Sequence, residues 1–210
     1  MQMKSQNISI SIRELTKAYG DNKGIFDFNT NFNNGQINLI TGSNGSGKTT
    51  LLRCIMKLVQ YKGEINRRKV KIGYAPENYL MPEYLTVNEF LYSIGRIKGL
   101  TKNEYNNNKI DFFELFNIKQ YQNKLIKSLS NGTKQKVNLI QALIHEPKII
   151  ILDEPLVSLD YLSQVNLLRY LNSIAKIKLV IISTHNPEKF RSRIKKIYHL
   201  ENGRLDDKLS

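Results

Sequence analysis

The stretch GSNGSGKTT occupies residues 42–50 and matches the pattern G-x-x-x-x-G-K-[ST]. Residues 36–42 (QINLITG) are typical of a buried strand and residues 48–59 (KTTLLRCIMKLV) of a helix, which is the context that this pattern requires. Glycines let consecutive backbone amides curl around phosphate oxygens, and the helix start adds positive potential there. The stretch therefore predicts a phosphate-binding loop between a strand and a helix, and a plain glycine turn is disfavoured.

Two side chains of this loop have individual predicted roles. Lys48 is expected to reach the β- and γ-phosphates of a nucleotide, and Thr49 to place its hydroxyl on Mg²⁺. A nucleotide that carries β- and γ-phosphates, together with Mg²⁺, is thus the predicted ligand of this loop. The predicted nucleotide-binding residues of the loop are Gly42, Ser43, Asn44, Gly45, Ser46, Gly47, Lys48, Thr49 and Thr50.

A second acidic element follows at IIILDEP, residues 149–155. Asp153, at the end of an apolar strand, is suited to hold Mg²⁺ through its water shell. Glu154 is the expected general base for a water that attacks the γ-phosphate. Acidic residues are common at strand ends, but two adjacent carboxylates in a chain with a phosphate-binding loop favour the catalytic interpretation.

Composition describes an ordinary globular chain. Its 210 residues, 40% apolar and 24% charged, predict one domain over 1–210. No apolar run approaches the roughly 18 residues of a membrane helix, and the amino terminus lacks the apolar stretch of a secretory signal. The single cysteine, Cys54, excludes a disulfide framework, favours a reducing cytoplasm and is expected in the core.

The net charge of +14 is the unusual bulk property, and it is compatible with nucleic acid or an anionic membrane as a partner. The charges are scattered, and the densest cluster, residues 66–71, is expected to be a solvated turn between two strands. The net charge alone does not distinguish a nucleic acid partner from an anionic membrane.

Strands alternate with helices along the chain, which favours an α/β fold with a buried parallel sheet. Capping boxes at Thr86–Glu89 and Thr101–Glu104 predict the starts of two amphipathic helices. A further helix is predicted over 161–175. The predicted strands are 8–15, 24–32, 36–42, 63–68, 69–75, 148–155, 178–184 and 194–206, of which 63–68 and 69–75 are short.

A small polar cluster, residues 130–133 (SNGT), precedes another helical pattern at 134–146. Ser and Asn oxygens satisfy orphan amides at a helix start, so a simple cap is one interpretation. Four small polar residues are more than a cap requires.

The segments GSNGSGKTT, LSNGTKQK, IIILDEP, SLD and STH occur in the order and spacing of ATP-binding-cassette (ABC) ATPases, which the whole chain resembles. The resemblance implies a P-loop ABC ATPase core with a mixed or parallel sheet, an N-terminal antiparallel β part and an inserted helical lobe over approximately 87–146. The family signature, usually L-S-G-G-Q, binds the γ-phosphate held by a second, head-to-tail subunit. Ser130 and Gly132 are therefore expected to bind a partner's nucleotide, through a hydroxyl and a backbone amide.

The signature departs from the family pattern at two positions. Asn131 replaces the first glycine and is expected to tolerate the unusual backbone angles that glycine supplies, and Thr133 replaces glutamine as a polar contact. The pattern resembles that of ABC-2 exporters.

Four further positions match the family by their place in the sequence. Tyr19 resembles the aromatic that stacks on adenine, although it could simply close a strand before a Gly20–Asp21 turn. Asp160 matches the loop that joins the two sites across the dimer, and it could also cap a helix. His185 resembles the switch histidine that contacts the γ-phosphate and orients the attacking water. Glu77 stands where many members have glutamine, which weakens its assignment as a Mg²⁺ ligand.

The other two histidines, His145 and His199, are expected to be core or surface residues. The loop ENYLMPEYLTVNEFL, residues 77–91, carries an apolar and aromatic cluster that either folds into the core or awaits a partner. In the family this region receives a coupling helix from the membrane subunit.

The predicted function is an ATP-hydrolysing subunit of an ABC transporter, an exporter, at the inner face of the cell membrane. Its expected partners are a second ABC subunit, in a homo- or heterodimer, and a separate membrane permease.

A monophosphate kinase is a rival class with a similar length and phosphate-binding loop, but such an enzyme would lack LSNGT and the Asp-Glu pair. An ABC ATPase acting on ribosomes or nucleic acid is the alternative, but the chain lacks the second cassette or long coiled coil of such relatives, so no nucleic acid partner is expected.

Overall fold

The computed structural model describes residues 7–20, 23–192 and 194–206. The expectation about a secretory signal concerns mainly residues 1–6, which lie outside the described residues, as does Asp21 of the predicted turn. No helix within the described ranges has the length and apolar content needed to cross a membrane.

Three strands form an antiparallel sheet at the amino-terminal side of the chain. They are β1 (Ser9–Ala18), β2 (Gly24–Asn33) and β4 (Lys62–Arg67), in the order β2-β1-β4. Apolar residues alternate along β1, so that Ile10 and Ile12 are buried while their neighbours are less so. This sheet confirms the predicted N-terminal antiparallel part.

The second sheet has six strands in the order β5-β6-β7-β3-β8-β9. The strands are β3 (Ile37–Thr41), β5 (Ile72–Ala75), β6 (Ile149–Asp153), β7 (Leu179–Ser183), β8 (Lys195–Glu201) and β9 (Arg204–Leu205). All neighbours from β5 to β8 are parallel, and β9 joins antiparallel. Every residue of β3, β6 and β7 is buried because both faces of the sheet are covered.

Five α-helices in the described part of the chain connect or flank these strands. They are α1 (Lys48–Ile55), α2 (Val87–Ile97), α3 (Lys102–Leu115), α4 (Asn131–Leu143) and α5 (Tyr161–Ile174), with short 3₁₀ turns at Lys119–Tyr121, Ile126–Ser128 and Pro187–Lys189. Both predicted capping boxes are present, since Thr86 and Thr101 exchange hydrogen bonds with Glu89 and Glu104. Helices α2 to α4 lie between β5 and β6, inside the range predicted for the lobe.

Two apolar cores cover opposite faces of the parallel sheet. Leu39, Ile150 and Val180 face the core that includes α2 to α5. Their sequence neighbours Ile40 and Ile151 face the other core, which includes α1 and the antiparallel sheet. The period of two along each strand produces this division. Cys54 is fully buried in the second core, as expected.

Three boundaries differ from the predictions. The strand predicted over 63–68 is β4, at Lys62–Arg67, and the strand predicted over 69–75 is the shorter β5, at Ile72–Ala75. β4 joins β1 and β5 joins β6, so the turn between them connects two different sheets. Residues 194–206 form two strands, separated by a turn in which Asn202 and Gly203 have φ of 49° and 76°. Helix α1 ends at Ile55, and Lys57, with φ 59°, stops its continuation.

Candidate nucleotide-binding site

The phosphate-binding loop lies between β3 and α1, where its sequence predicts it. Gly42 and Gly47 have φ of 141° and 105°, in the region that favours glycine. A Cβ on Gly42 would stand 2.2 Å from the Leu200 carbonyl oxygen, and one on Gly47 would stand 2.6 Å from the Gly24 carbonyl oxygen. Both glycines are therefore required by backbone angle and by space.

Lys48, the first residue of α1, bends back over this loop. Its ammonium donates hydrogen bonds to the carbonyl oxygens of Gly42 and Ser43 at 2.9 and 3.0 Å. The side chain is buried among loop atoms, as is that of Ser46. The loop thus carries a fixed positive charge at the place where phosphates are expected.

A cleft of about 880 Å³ opens beside the loop. This volume is in the usual range for small-molecule sites, about 300–1,000 Å³. The predicted residues that line it are Tyr19, Asn44, Gly45, Gly47, Lys48, Thr49, Thr50, Glu77, Glu154 and His185. Three lining residues were not predicted, namely Lys23, Gly24 and Val157.

Asp153 and Glu154 lie at the carboxyl end of β6, next to β7. One carboxylate oxygen of Asp153 accepts a hydrogen bond from the Ser183 hydroxyl. The Glu154 backbone amide donates to the Ser183 carbonyl and hydroxyl oxygens at 3.2 and 3.1 Å. Sequence reasoning missed Ser183, although it opens the STH segment. Its hydrogen bonds hold the Asp153 carboxylate and the Glu154 backbone in place.

Glu154 and His185 face each other inside the cleft. The His185 Nδ1 and the Glu154 Oε2 are 2.9 Å apart, with the carboxylate side chain 8% exposed and the imidazole 47% exposed. Glu77 faces the same group of charges. Partial burial raises the pKa of Glu77, and the nearby charges of Asp153 and Glu154 raise it further. The arrangement brings a buried carboxylate and a half-exposed imidazole together.

The residues present fit a Mg²⁺ ion that is shared with a nucleotide. The second carboxylate oxygen of Asp153 is buried without a hydrogen-bond partner among the described residues. Thr49 lines the cleft. In the ranges that the structure describes, no group of three or more His, Cys, Asp or Glu residues is gathered to hold a metal. Mg²⁺ commonly uses one or two protein ligands together with substrate phosphates, which matches this donor set.

Tyr19 stands at the rim of the cleft with 52% of its surface exposed. The ammonium of Lys17 lies 4.7 Å from the centre of its ring. The Tyr19 backbone amide donates to the Lys23 carbonyl oxygen at 2.8 Å, so Tyr19 also closes the strand that precedes it. An exposed ring at the cleft edge is a suitable platform for a base.

Ser130 is the amino-terminal cap of α4, because its hydroxyl accepts a hydrogen bond from the Thr133 amide at 3.3 Å. The expectation of unusual backbone angles at Asn131 is wrong: this residue is the first of α4 and is not among the residues with positive φ. A helical residue needs no glycine-like freedom. Neither Ser130 nor Gly132 is among the described residues that line the 880 Å³ cleft.

The start of α4 instead borders a second, smaller cleft of about 410 Å³. Asn131 lines this cleft together with Glu77, Glu154 and Ser158. The signature region therefore approaches the Glu154 carboxylate from a side other than that of the phosphate-binding loop.

Asp160 is the amino-terminal cap of α5, and its carboxylate accepts from the Ser163 amide at 2.9 Å. The Lys136 ammonium lies 2.6 Å from the same carboxylate. The hydrogen bond from Lys136, followed by that from the Ser163 amide, lowers the pKa of Asp160 to about 2. The alternative interpretation of Asp160 as a helix cap is thus correct, and its predicted role across a dimer stays a prediction.

The remaining histidines lie outside the lining of the cleft. His145 is buried, with its Nε2 3.2 Å from the Ile72 carbonyl oxygen, and burial lowers its pKa to about 4. His199 is partly buried, with its Nδ1 3.0 Å from the Thr41 hydroxyl. Both are structural residues, as predicted.

The apolar loop before α2 divides between core and surface. Met81 is partly buried and packs against the core that contains α2. Tyr79 is half-buried, whereas Leu80 and Tyr84 are 102% and 77% exposed.

Comparison with known proteins is consistent with this site. Residues 25–157 match the family model described as ABC transporter. An uncharacterized ABC transporter ATP-binding protein of Methanocaldococcus jannaschii is 35% identical over 200 residues, which cover 93% of this chain and 75% of that protein. ABC transporter G family member 20 of Dictyostelium discoideum is 32% identical over 86% of this chain, which spans only 26% of its length.

Among solved structures, a dimeric ATP-binding cassette in a post-hydrolysis state, bound to ADP and phosphate, has the same fold. It superposes with a TM-score of 0.84 at 22% identity, covering 94% of this chain and 96% of that one. The phosphate-binding loop, the paired carboxylates and the two sheets are placed as the sequence predicts, and more than half of the chain matches the family model. The chain belongs to the ABC transporter family and is an ATP-binding domain of that family.

Proposed function

We propose that this chain hydrolyses ATP as the nucleotide-binding subunit of an exporter, within one domain over 1–210 that has a helical lobe at approximately 87–146. The observation that carries the proposal is the convergence of Lys48, Glu154 and His185 on one cleft of about 880 Å³. A cationic phosphate contact, a general base and an orienting imidazole are the parts that γ-phosphate hydrolysis needs.

The chemistry is divided among these side chains. Glu154 accepts a proton from the attacking water, and His185, 2.9 Å from its carboxylate, orients that water toward the γ-phosphate. Lys48 neutralises phosphate charge. Thr49 and Asp153 would hold Mg²⁺, which supplies further charge neutralisation when bound, and Glu77 has the weakest case as a ligand. Tyr19 provides the surface on which adenine stacks.

The proposal also requires a second subunit. Ser130 is exposed at the start of α4, away from the cleft of its own chain, which supports a role in binding a partner's nucleotide. A helix start bearing a hydroxyl and a free backbone amide suits a γ-phosphate. In the head-to-tail arrangement, the signature residues of one subunit complete the site of the other, with Asp160 at the junction. The dimeric form of the cassette described above supports this arrangement.

A membrane permease is the proposed second partner. Leu80 and Tyr84 project from the loop before α2, which lies between the cleft residue Glu77 and the first helix of the lobe. Exposed apolar and aromatic side chains are typical of interface anchors. Docking of the permease here would place the subunit at the inner face of the membrane and connect it to the nucleotide through Glu77.

Mixed dimers test the shared site. Ser130→Arg should leave ATP binding by the monomer nearly unchanged and abolish hydrolysis by the homodimer, because the lost contact belongs to the partner's site. Lys48→Ala should weaken ATP binding in its own chain. A mixture of the two variants contains one complete site out of two, so hydrolysis should return on mixing. Loss of ATP binding by Ser130→Arg monomers would show that residues 130–133 are only structural.

A further inference from the structure

The first turns of α4 hold the segment that follows β6, residues 154–160, at three places. The Gln135 amide donates to the Pro155 carbonyl oxygen at 3.4 Å. The Lys136 ammonium binds the Asp160 carboxylate at 2.6 Å. Gly132 packs so closely that a Cβ there would stand 2.7 Å from the Ser158 carbonyl oxygen. One face of α4 thus follows the whole segment, from the residue after Glu154 to the cap of α5.

This segment carries backbone strain at both ends of its turn. Glu154 and Ser158 have φ of 47° and 62°, in the left-handed region that costs residues other than glycine about 1–2 kcal/mol each. Such conformations persist only where the surroundings over-determine them. Ser183 holds the Glu154 end through the backbone amide. The Asp160 end depends on α4 and on the cap of α5.

Lys136 and Asp160 form the only ion pair between a lysine or arginine and an acid within the residues that the structure describes. Their side chains are 13% and 54% exposed. An ion pair this open to solvent contributes at most about 1 kcal/mol to folding. Its consequence is therefore geometric: it fixes where the far end of the 154–160 segment sits relative to α4.

We propose that Lys136 is a positioning residue for hydrolysis, which holds Glu154 in place through Asp160 and the 154–160 segment. Lys136 lies on α4, which is capped by Ser130, the residue proposed above to contact the partner's nucleotide. If α4 moves when that nucleotide binds, the 154–160 segment moves with it and changes the position of Glu154 in the same chain. This inference rests on the proposed function, and it makes the ATP held by one subunit a regulator of hydrolysis in the other.

A pair of substitutions tests the positioning role. Lys136→Met keeps the length of the side chain and removes its charge, and it should lower kcat by about tenfold with KM for ATP within about twofold, because a small displacement of a general base affects chemistry rather than binding. Lys136→Arg should restore kcat. Lys102→Met, an exposed lysine at the start of α3, is the matched control and should leave kcat unchanged. The thermal midpoints of all four proteins should agree within about 4 °C, because the ion pair contributes at most about 1 kcal/mol.

A wild-type kcat for Lys136→Met, or an equal loss in Lys136→Arg, would overturn the proposal. A thermal midpoint lowered by clearly more than about 4 °C in Lys136→Met alone would assign the residue to stability instead.

Mixed dimers, purified through two different tags, show on which chain Lys136 acts. With Ser130→Arg in subunit 1 only, the single intact site uses Glu154 of subunit 1 and Ser130 of subunit 2. Lys136→Met added to subunit 1 should lower kcat by about tenfold, and added to subunit 2 it should have little effect. The reverse result would mean that Lys136 serves only Ser130, and would overturn the proposal.

The same experiment distinguishes a failure of the proposed function from a failure of the positioning role of Lys136. If Ser130→Arg in one subunit removes none of the activity, the shared-site arrangement is wrong. The homodimer measurements on Lys136→Met and Lys136→Arg still decide whether Lys136 positions Glu154.

Discussion

Replacing Glu154 with glutamine isolates the chemical step from nucleotide binding. The two side chains have nearly the same shape, and the backbone hydrogen bonds from residue 154 to Ser183 do not involve the side chain. The amide oxygen of glutamine can still accept a hydrogen bond from the His185 Nδ1. The substitution therefore removes one buried negative charge and the ability to accept a proton, and it leaves the fold intact.

The expected effect on rate follows from the role of a general base. Such a group contributes about 10²–10⁴-fold, so kcat should fall by at least about a hundredfold, which corresponds to about 2.7 kcal/mol of transition-state stabilisation. ATP binding should be retained or strengthened, because the substitution removes a carboxylate that repels the negatively charged γ-phosphate. The pKa of Glu77, which the charge of Glu154 helps to raise, should move toward its ordinary value.

Phosphate release under saturating Mg·ATP measures the rate, and size-exclusion chromatography with Mg·ATP measures dimer formation. Glu154→Gln should elute as a nucleotide-stabilised dimer, since the ATP that joins two subunits is not consumed. Glu188→Gln, an exposed glutamate beyond His185, is the matched control and should behave as wild type. A Glu154→Gln protein that releases phosphate at the wild-type rate would refute the assignment of Glu154 as the base.

Two other perturbations test regions outside the cleft. Leu80→Ser with Tyr84→Ser should leave ATPase activity of the isolated chain and its thermal midpoint unchanged but prevent co-purification with the membrane permease; assembly at the wild-type level would place the docking surface elsewhere. Burial lowers the pKa of His145 to about 4 from an unfolded value of 6.5. Between these two values the imidazole is neutral in the folded chain and takes up a proton on unfolding. Its contribution to the stability of the fold is therefore present at neutral pH and is lost as pH falls from about 6.5 to 4. The free energy of unfolding should decrease by up to about 3 kcal/mol over that interval in urea titrations, and His145→Gln should decrease less; equal slopes would contradict the burial argument.

The phosphate-binding loop and the helix starts could be predicted from the sequence because they depend on contacts within a few residues. Gly42 and Gly47 need their backbone angles whatever surrounds them, and the capping boxes at Thr86 and Thr101 close over three residues. The apolar stretches that form β3, β6 and β7 likewise specify strands buried on both faces.

Only the tertiary structure decided which strand pairs with which, and which side chains join the cleft from a distance. Neither the partner of β4, which is β1, nor the separate placement of β5 is encoded in the turn that connects them, because edge pairing depends on which apolar faces remain uncovered. Ser183 reaches Glu154 across neighbouring strands, and Lys136 reaches Asp160 between two helices. These contacts join residues 24 or more positions apart in the chain, and no local pattern predicts them, because they form only after both cores have packed.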